Sequence, residues 1–309
     1  MNTSSMLFVE YHCNWIHMYK EGSVRPVTLD KYYLTHCELK KRIPNVKVGE
    51  LNHYVYQKLI NDYAEDHEYL TVKGFHHHVK AAIVDAIDDG LISCDPTRHL
   101  VLKGKQPGPK KVKYLSLLDL KRLLNRLNLD QSKLDLDWLI LLIAKTGLRF
   151  AEALGLTVGD FDFVNHTITV KNTWNYKEVN GGFQPTKNKS SIRTISLDPI
   201  TCEQFELLTK DCKKEIPIFC QDKKRIYDST VNHRLASHCK KAGIDIISVH
   251  GLRHTHASLL IYDGVSIPSV AKRLGHSNTI TTQQTYLHIV KELEERDNHK
   301  IMENMIRLS

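Results

Sequence analysis

No apolar run in the sequence approaches the ~18 to 20 residues needed to cross a bilayer, so a membrane partner is not expected. The opening stretch, MNTSSMLFVEYHCNWIHMYK, has neither a basic leader nor a small-residue cleavage site. A reduced, cytoplasmic setting follows. The seven cysteines, at positions 13, 37, 94, 202, 212, 220 and 239, are odd in number, scattered and without a CxxC pair, which supports neither a disulfide framework nor a zinc site. No repeat period or low-complexity tract stands out. At 41% hydrophobic and 25% charged residues the chain is neither disordered nor collagenous, and its 309 residues are about twice a typical domain, so two domains are expected.

Charge is distributed unevenly. The chain carries 43 Lys and Arg against 35 Asp and Glu, a net charge of +8 that attracts polyanions. Residues 1–102 hold 11 basic and 13 acidic side chains, residues 103–289 hold 28 and 17, and residues 290–309 hold 4 and 5. The positive field therefore belongs to the second part of the chain. A solvated Lys-rich surface and a nucleic-acid partner are both compatible with charge alone.

The sharpest composition shift is Lys103-Gly-Lys-Gln-Pro-Gly-Pro-Lys-Lys-Val-Lys113, with five lysines, two prolines, two glycines and no acid. Pro and Gly cannot continue a helix, and the like charges repel into an open stretch that can lie along a phosphate backbone. It is read as a basic linker over 103–113.

Before it, apolar residues three and four apart predict helices over 8–19, 28–41, 52–66 and 71–88, with Thr28 and Asn52 as N-caps and Gly90 as a stop. The triplet His76-His-His78 falls in the fourth helix. Consecutive residues point in different directions and cannot chelate one ion, so the triplet is expected partly as a surface feature with Lys73 and Lys80.

After the linker, helices are expected over 116–127 and 137–145, the second almost wholly apolar and central to a core. Alternating segments at 166–170 and 191–197, around an Asn180-Gly-Gly182 turn signal, predict a small antiparallel sheet. Helices over 199–210, 228–242, 249–263, 267–274 and 279–290 complete a mainly α body.

Four segments carry chemistry. They are Thr146-Gly-Leu-Arg-Phe-Ala-Glu152, Thr186-Lys-Asn-Lys189, His250-Gly-Leu-Arg-His254, and Leu274-Gly-His276 followed ten residues later by Tyr286. Gly147 ends an apolar helix and Arg149 opens the next, where backbone N–H groups and a guanidinium converge on an anion; a surface arginine paired with Glu152 is the plainer alternative. His250 and Arg253 share a helix face, which a bound phosphate can also share. An HExxH zinc motif at His250 and His254 would need Glu at 251 and finds Gly. Clustered carboxylates for a two-metal nuclease are lacking beside these segments, so phosphoryl chemistry here uses cationic side chains and no metal or other cofactor.

Taken together, TGLRxxE, a Lys on a hairpin before SSIRTISL, HGLRHTHAS, LGHS and a Tyr ten residues after that His resemble the tyrosine recombinase family, the phage and transposon integrases of the lambda type. The resemblance extends over essentially all of residues 1–290 and is strongest to integrases of Gram-positive phages, pathogenicity islands and conjugative transposons. It implies a two-domain DNA clamp, with a helical core-binding domain over 1–102 and a catalytic domain over 114–289 that is mainly α with a small antiparallel sheet. Arg149 and Arg253 would clamp the scissile phosphate and Tyr286 would attack it, forming a 3′-phosphotyrosyl bond. His250 would accept the tyrosine proton, Lys187 would protonate the departing 5′ oxygen, and His276 would position the phosphate. Lys189 is the rival to Lys187 and otherwise a phosphate contact, and Glu152 is a brace for the arginine.

The resemblance also implies double-stranded DNA as substrate, a homotetramer that passes through a Holliday junction, and a possible excisionase or DNA-bending host protein. Because residues 1–102 are net acidic, DNA contacts there must come from local faces such as Lys40, Lys41, Arg42, Lys73, His76 and Lys80, and from Lys110, Lys111 and Lys113 in the linker. Related integrases often carry a further N-terminal arm-binding domain, and nothing before Phe8 is long enough to be one. Residues 290–309 are expected as an amphipathic tail, with Val290, Leu293, Ile301, Met302, Met305, Ile306 and Leu308 apolar; folding back on its own subunit is the plainer expectation, and the resemblance implies docking on a neighbouring protomer. A Xer-type dimer-resolution enzyme and a catalytically silent DNA-binding protein on the same scaffold are the alternatives.

Overall fold

The structure, a computed structural model, describes residues 5–106, 108, 113–178, 180–186, 188–222, 225–286, 302, 305 and 306. Lys110, Lys111 and Lys187, and most of the expected tail, lie outside the described residues; of the tail, Met302, Met305 and Ile306 are exposed. The chain divides into two compact units, residues 1–110 and 111–309.

The first unit is built on four helices, α1 (Phe8–Tyr19), α2 (Pro26–Arg42), α3 (His53–Ala64) and α4 (Tyr69–Asp88). Their apolar rows meet in a core of Phe8, Leu39, Val48, Tyr56, Leu59, Ile60, Val72, Phe75, Val79 and Ile83. Full burial of each large apolar side chain contributes about 1.5–3 kcal/mol. Asn52 caps α3, its side chain accepting from the Val55 N–H at 3.0 Å. Thr28 does not cap α2. That helix starts two residues earlier, at Pro26 behind an extended Arg25, because a proline's fixed φ and missing N–H suit the first helical position.

His76 departs from its expected place on the surface. It is 8% exposed, and its Nδ1 lies 2.9 Å from Tyr56 Oη. The reason is helical phase: Val72, His76 and Val79 form one inward row, and only His77 of the triplet is exposed. A second histidine, His12, is wholly buried with neither ring nitrogen hydrogen-bonded; it stacks on His36 at 5.8 Å, and burial presses its pKa down to about 3.

In the second unit α5 (Leu117–Leu124) and α6 (Leu136–Thr146) lead into α7 (Phe150–Leu154) and strands β1 (Phe161–Asp162), β2 (Thr167–Val170), β3 (Asn172–Trp174), β4 (Phe183–Pro185) and β5 (Arg193–Ser196). Helices α8 (Pro199–Thr209), α9 (Asp228–Ala242), α10 (Val249–Tyr262), α11 (Ile267–Leu274) and α12 (Thr279–Thr285) follow. Strands β1, β2 and β5 form an antiparallel sheet in which Ile168 faces Ile195 and Val170 faces Arg193. The glycine turn at 180–182 does not join β2 to β5. It closes a separate ribbon, β3 with β4, because Asn172–Trp174 supplies a strand between the two alternating segments.

Helix α6 is the axis of this unit. Asp135 caps it, residues 137–144 are all buried, and Gly147 ends it in the left-handed region at φ +69°. Its buried Asp137 accepts from Asn128 N at 2.7 Å and Arg234 Nε at 2.8 Å and lies 2.9 Å from His238 Nε2, tying α9 to α6. Among the described residues no helix is long and apolar enough to cross a membrane.

Candidate active site

Two turns bring the basic segments together. At the first, the left-handed Gly147 lets the chain leave α6 and present Arg149 in extended conformation at the head of α7. At the second, Gly275 takes φ +70° after α11, where a Cβ would come within 2.9 Å of Arg193 Nη1 and 3.1 Å of Ser191 Cα. The two arginines of the sequence motifs hold this second turn by successive carbonyls: Arg253 Nη2 donates to Leu274 O at 2.7 Å, and Arg149 Nη2 donates to Gly275 O at 3.2 Å. The other arm of Arg253 reaches back to Gly147 O at 2.7 Å. Both turns and both guanidiniums are thereby fixed to one another.

The partner of Arg149 is Glu152, as the plainer sequence reading held, but the pair is not a surface one. Glu152 is 1% exposed and accepts from Arg149 Nη1 at 2.6 Å and from Arg193 Nη2 at 3.0 Å. Burial raises the pKa of this carboxyl; the Arg193 charge and hydrogen bond, then the Arg149 charge, outweigh that and hold it below the usual range. The carboxylate is the anion between two guanidiniums, with the third, on Arg253, 3% exposed nearby. Burial, and then the Arg149 charge, press the Arg253 pKa down to about 9, with the Glu152 carboxylate working in the opposite sense.

Three histidines and the tyrosine complete the cluster. His276 follows Gly275, lies with its Nδ1 2.7 Å from Thr282 Oγ1, and has its pKa lowered to about 4 by burial and by Arg253 and Arg149. His250, on the first turn of α10, is exposed; partial desolvation and the same two arginines lower its pKa. His254 meets His250 edge-on with ring centroids 4.7 Å apart. Tyr286 ends α12 and packs with Ala257, Ile261, Val270 and Leu274 at 2% exposure. Its Oη lies 2.9 Å from His254 Nδ1. Burial pushes the phenol up to about 12 while the Arg253 charge works in the opposite sense, so the hydroxyl is protonated at neutral pH.

Of the six residues named from the sequence, Arg149, His250, Arg253, His276 and Tyr286 thus gather in one cluster. Lys187 falls in the segment joining β4 to β5 and lies outside the described residues, whereas Lys189 is exposed at a single 3-10 turn beside Ser191. Among the described residues, no group of three or more His, Cys, Asp or Glu side chains is arranged to hold a metal.

Sequence reasoning missed Arg193 and His254. A charged residue on the inward face of a strand, flanked by exposed Ile192 and Thr194, was the available signal for the first. The second stood in the HGLRH segment, four residues after His250, but nothing local pointed to Tyr286, 32 residues away.

The residues expected on DNA divide. Lys40, Lys41, Lys73, Lys113 and Lys189 are exposed and Lys80 half-buried, with Lys41 paired to Glu38 at 2.6 Å. Arg42 turns inward, donating to Asp62 O at 2.8 Å with its guanidinium 5.2 Å from the Tyr63 ring centroid, and His76 is in the core.

A cluster of guanidiniums and histidines beside a buried tyrosine hydroxyl, on a mainly helical scaffold, is what this geometry defines. Residues 113–292 match the phage integrase family, and the chain belongs to it. Among curated relatives, the integrase of Staphylococcus phage L54a is 26% identical, the match covering 95% of this chain and 90% of that protein. The ICEBs1 integrase of Bacillus subtilis is 25% identical over 87% of this chain and 80% of its own length. Among solved structures, the Tn1549 transposon integrase in complex with transposon right end DNA superposes with a TM-score of 0.77 at 20% identity, covering 94% of this chain and 99% of that one. A lambda integrase tetramer bound to a Holliday junction gives a TM-score of 0.66 at 15% identity, covering 89% and 79%. These structural likenesses establish the two-domain recombinase fold.

Proposed function

We propose that this phage integrase family member is a site-specific tyrosine recombinase that integrates or excises a mobile genetic element. In the cleavage step the Tyr286 oxygen forms a bond to the scissile phosphorus, the bond from phosphorus to the 5′ oxygen breaks, the phenolic proton passes to His250, and Lys187 gives a proton to the departing 5′ oxygen. Arg149 and Arg253, with His276, bind the non-bridging oxygens on which charge builds. A 5′ hydroxyl from the partner strand then attacks the phosphotyrosine, releasing Tyr286 and resealing the strand. No ATP or metal enters this balance.

The observation that carries the proposal is a charge imbalance. Arg149 and Arg193 share one carboxylate, Glu152, while Arg253 beside them has, among the described residues, no carboxylate partner of its own and lies near a protonated tyrosine, which suits binding of a phosphodiester anion next to a nucleophile. Phage and integrative-element relatives covering most of the chain favour integration and excision over a Xer-type dimer-resolution role. On this reading residues 1–102 bind the core site, 103–113 track the backbone through Lys110, Lys111 and Lys113, and four protomers act on two duplexes with exchange of the 290–309 tail. An excisionase or DNA-bending protein sets direction, and the work takes place in the cytoplasm.

The test is incubation with a nicked duplex carrying attachment-site DNA from the ends of the element, followed by a denaturing gel. A covalent protein–DNA species that disappears in Tyr286→Phe supports the proposal. Its persistence in that variant overturns the nucleophile, and its absence from the unaltered protein overturns the activity.

A further inference from the structure

His254 lies one residue after Arg253 and one helical turn after His250, and its Nδ1 is 2.9 Å from Tyr286 Oη. The rings meet at an angle of 62° with centroids 5.9 Å apart, so the contact is an edge-directed hydrogen bond and not a stack. Burial, reinforced by His250, Arg253 and Lys113, lowers the His254 pKa to about 4. The ring is therefore neutral at neutral pH. In the tautomer that carries its proton on Nε2, Nδ1 offers a lone pair and the hydroxyl of Tyr286 is the donor.

This matters for the direction of attack. A phenol placed beside a phosphodiester donates its hydrogen to the nearest non-bridging oxygen, which turns a hydrogen, not a lone pair, toward the phosphate. Fixing that hydrogen on a competing acceptor frees a lone pair for in-line approach, and small errors in such alignment cost about a hundredfold in rate. With a phenol at about 12 and an imidazole at about 4, His254 is a hydrogen-bond acceptor and too weak a base to keep the proton. As the oxygen bonds to phosphorus, Nδ1 takes the proton while Nε2 passes its own to His250, whose ring lies 4.7 Å from that of His254 centroid to centroid, so His254 ends neutral and His250 holds the charge.

We infer that His254 is a further catalytic residue of strand cleavage: its Nδ1 accepts the Tyr286 hydroxyl hydrogen and so aims a phenolic lone pair at the scissile phosphorus. The inference rests on the recombinase reading above.

Its test is the single-turnover rate of covalent-complex formation at saturating nicked duplex, measured for the unaltered protein, His254→Ala, His254→Asn and Tyr286→Phe, with DNA affinity measured in parallel. An asparagine carbonyl can stand where Nδ1 stands. The expected result is a loss of about thirtyfold or more in His254→Ala, DNA affinity changed by less than about threefold, and recovery of at least about tenfold of that rate in His254→Asn. A His254→Ala rate within about threefold of the unaltered protein, or above it, overturns the inference while leaving the recombinase reading intact. So does an Asn variant no better than Ala. Where His254→Ala fails to bind DNA, His254→Asn decides alone, a near-normal rate supporting the role and a lost one overturning it. Failure of the unaltered protein to form a Tyr286-dependent adduct removes the recombinase reading itself, and this inference with it.

Discussion

Glu152 accepts a hydrogen bond from Arg193 at 3.0 Å with the carboxylate that also holds Arg149, and at 1% exposure it is sealed from solvent. The residue that reads in sequence as a helix-start partner of one arginine is the anion shared by two. Replacing it by glutamine keeps its shape and removes its charge, leaving three neighbouring guanidiniums without a counterion. Breaking such a buried pair costs about 3–5 kcal/mol. Glu152→Gln is therefore expected to lower the thermal midpoint of the second unit and to slow covalent-complex formation by more than about tenfold, as Arg149 loses its brace. Calorimetry and the nicked-duplex assay read the two effects separately.

Gly275 and Gly243 form a matched pair for testing the turn that the two arginines hold. Both have positive φ, +70° and +65°, but a Cβ at Gly275 meets Arg193 and the Ser191 backbone whereas at Gly243 it meets nothing within 4 Å. Alanine at either site pays about 1–2 kcal/mol for the left-handed conformation. Gly275→Ala is expected to lose cleavage activity in addition, because Arg149 and Arg253 grip this turn. Gly243→Ala is expected to retain it. Equal activities in the nicked-duplex assay would dissociate the turn from the arginines.

Acid should destabilise the fold through its buried histidines. His12, at about 3, and His76, at about 4, both titrate well below the unfolded value of 6.5. The unfolded chain therefore binds their protons first as pH falls. Their contribution to stability is fully present above pH 6.5 and is lost progressively below it, toward pH 4 and then 3. For the wholly buried His12 the slope is about 1.4 kcal/mol per pH unit within that window. Since neither nitrogen of His12 has a hydrogen-bond partner, His12→Leu is expected to flatten the decline between pH 6 and 4 without loss at pH 7. Denaturant titrations at several pH values measure this.

Lys187 and Lys189 are separated by the leaving group. A duplex with sulfur in place of the scissile 5′ oxygen releases a thiolate that needs no proton. Lys187→Ala is expected to lose cleavage on ordinary DNA by about a hundredfold and to regain it on the sulfur substrate. Lys189→Ala is expected to weaken both modestly, as the loss of one phosphate contact does. Regain in the Lys189 variant instead would exchange the two roles.

Local signals carried much of the fold. Helices α1, α9 and α11 have the ends expected from their apolar period, and Asn52 caps as its type suggests, because caps and amphipathic rows are encoded within one or two turns of chain. What went astray depended on neighbours distant in sequence. The glycine turn at 180–182 was legible, but not which strands it closes. His76 was taken for surface because three histidines in a row look polar, while helical phase and Tyr56 put it inside. The motif residues Arg149, His250, Arg253, His276 and Tyr286 were legible through resemblance. Arg193 and His254 were not, since their partners Glu152 and Tyr286 lie 41 and 32 residues off and are brought near by the tertiary fold.

The central claim is that Tyr286 serves the cationic pocket of its own chain, to which the His254 bond ties it. Mixing Tyr286→Phe, which keeps a complete pocket, with Arg253→Ala, which keeps the nucleophile, tests this directly on nicked duplex. If each tyrosine serves its own pocket, neither protein can cut and the mixture forms no covalent complex. Recovery of covalent complex in the mixture, carried by the Arg253→Ala chain, would contradict the account by showing that the tyrosine is delivered to a neighbour's pocket.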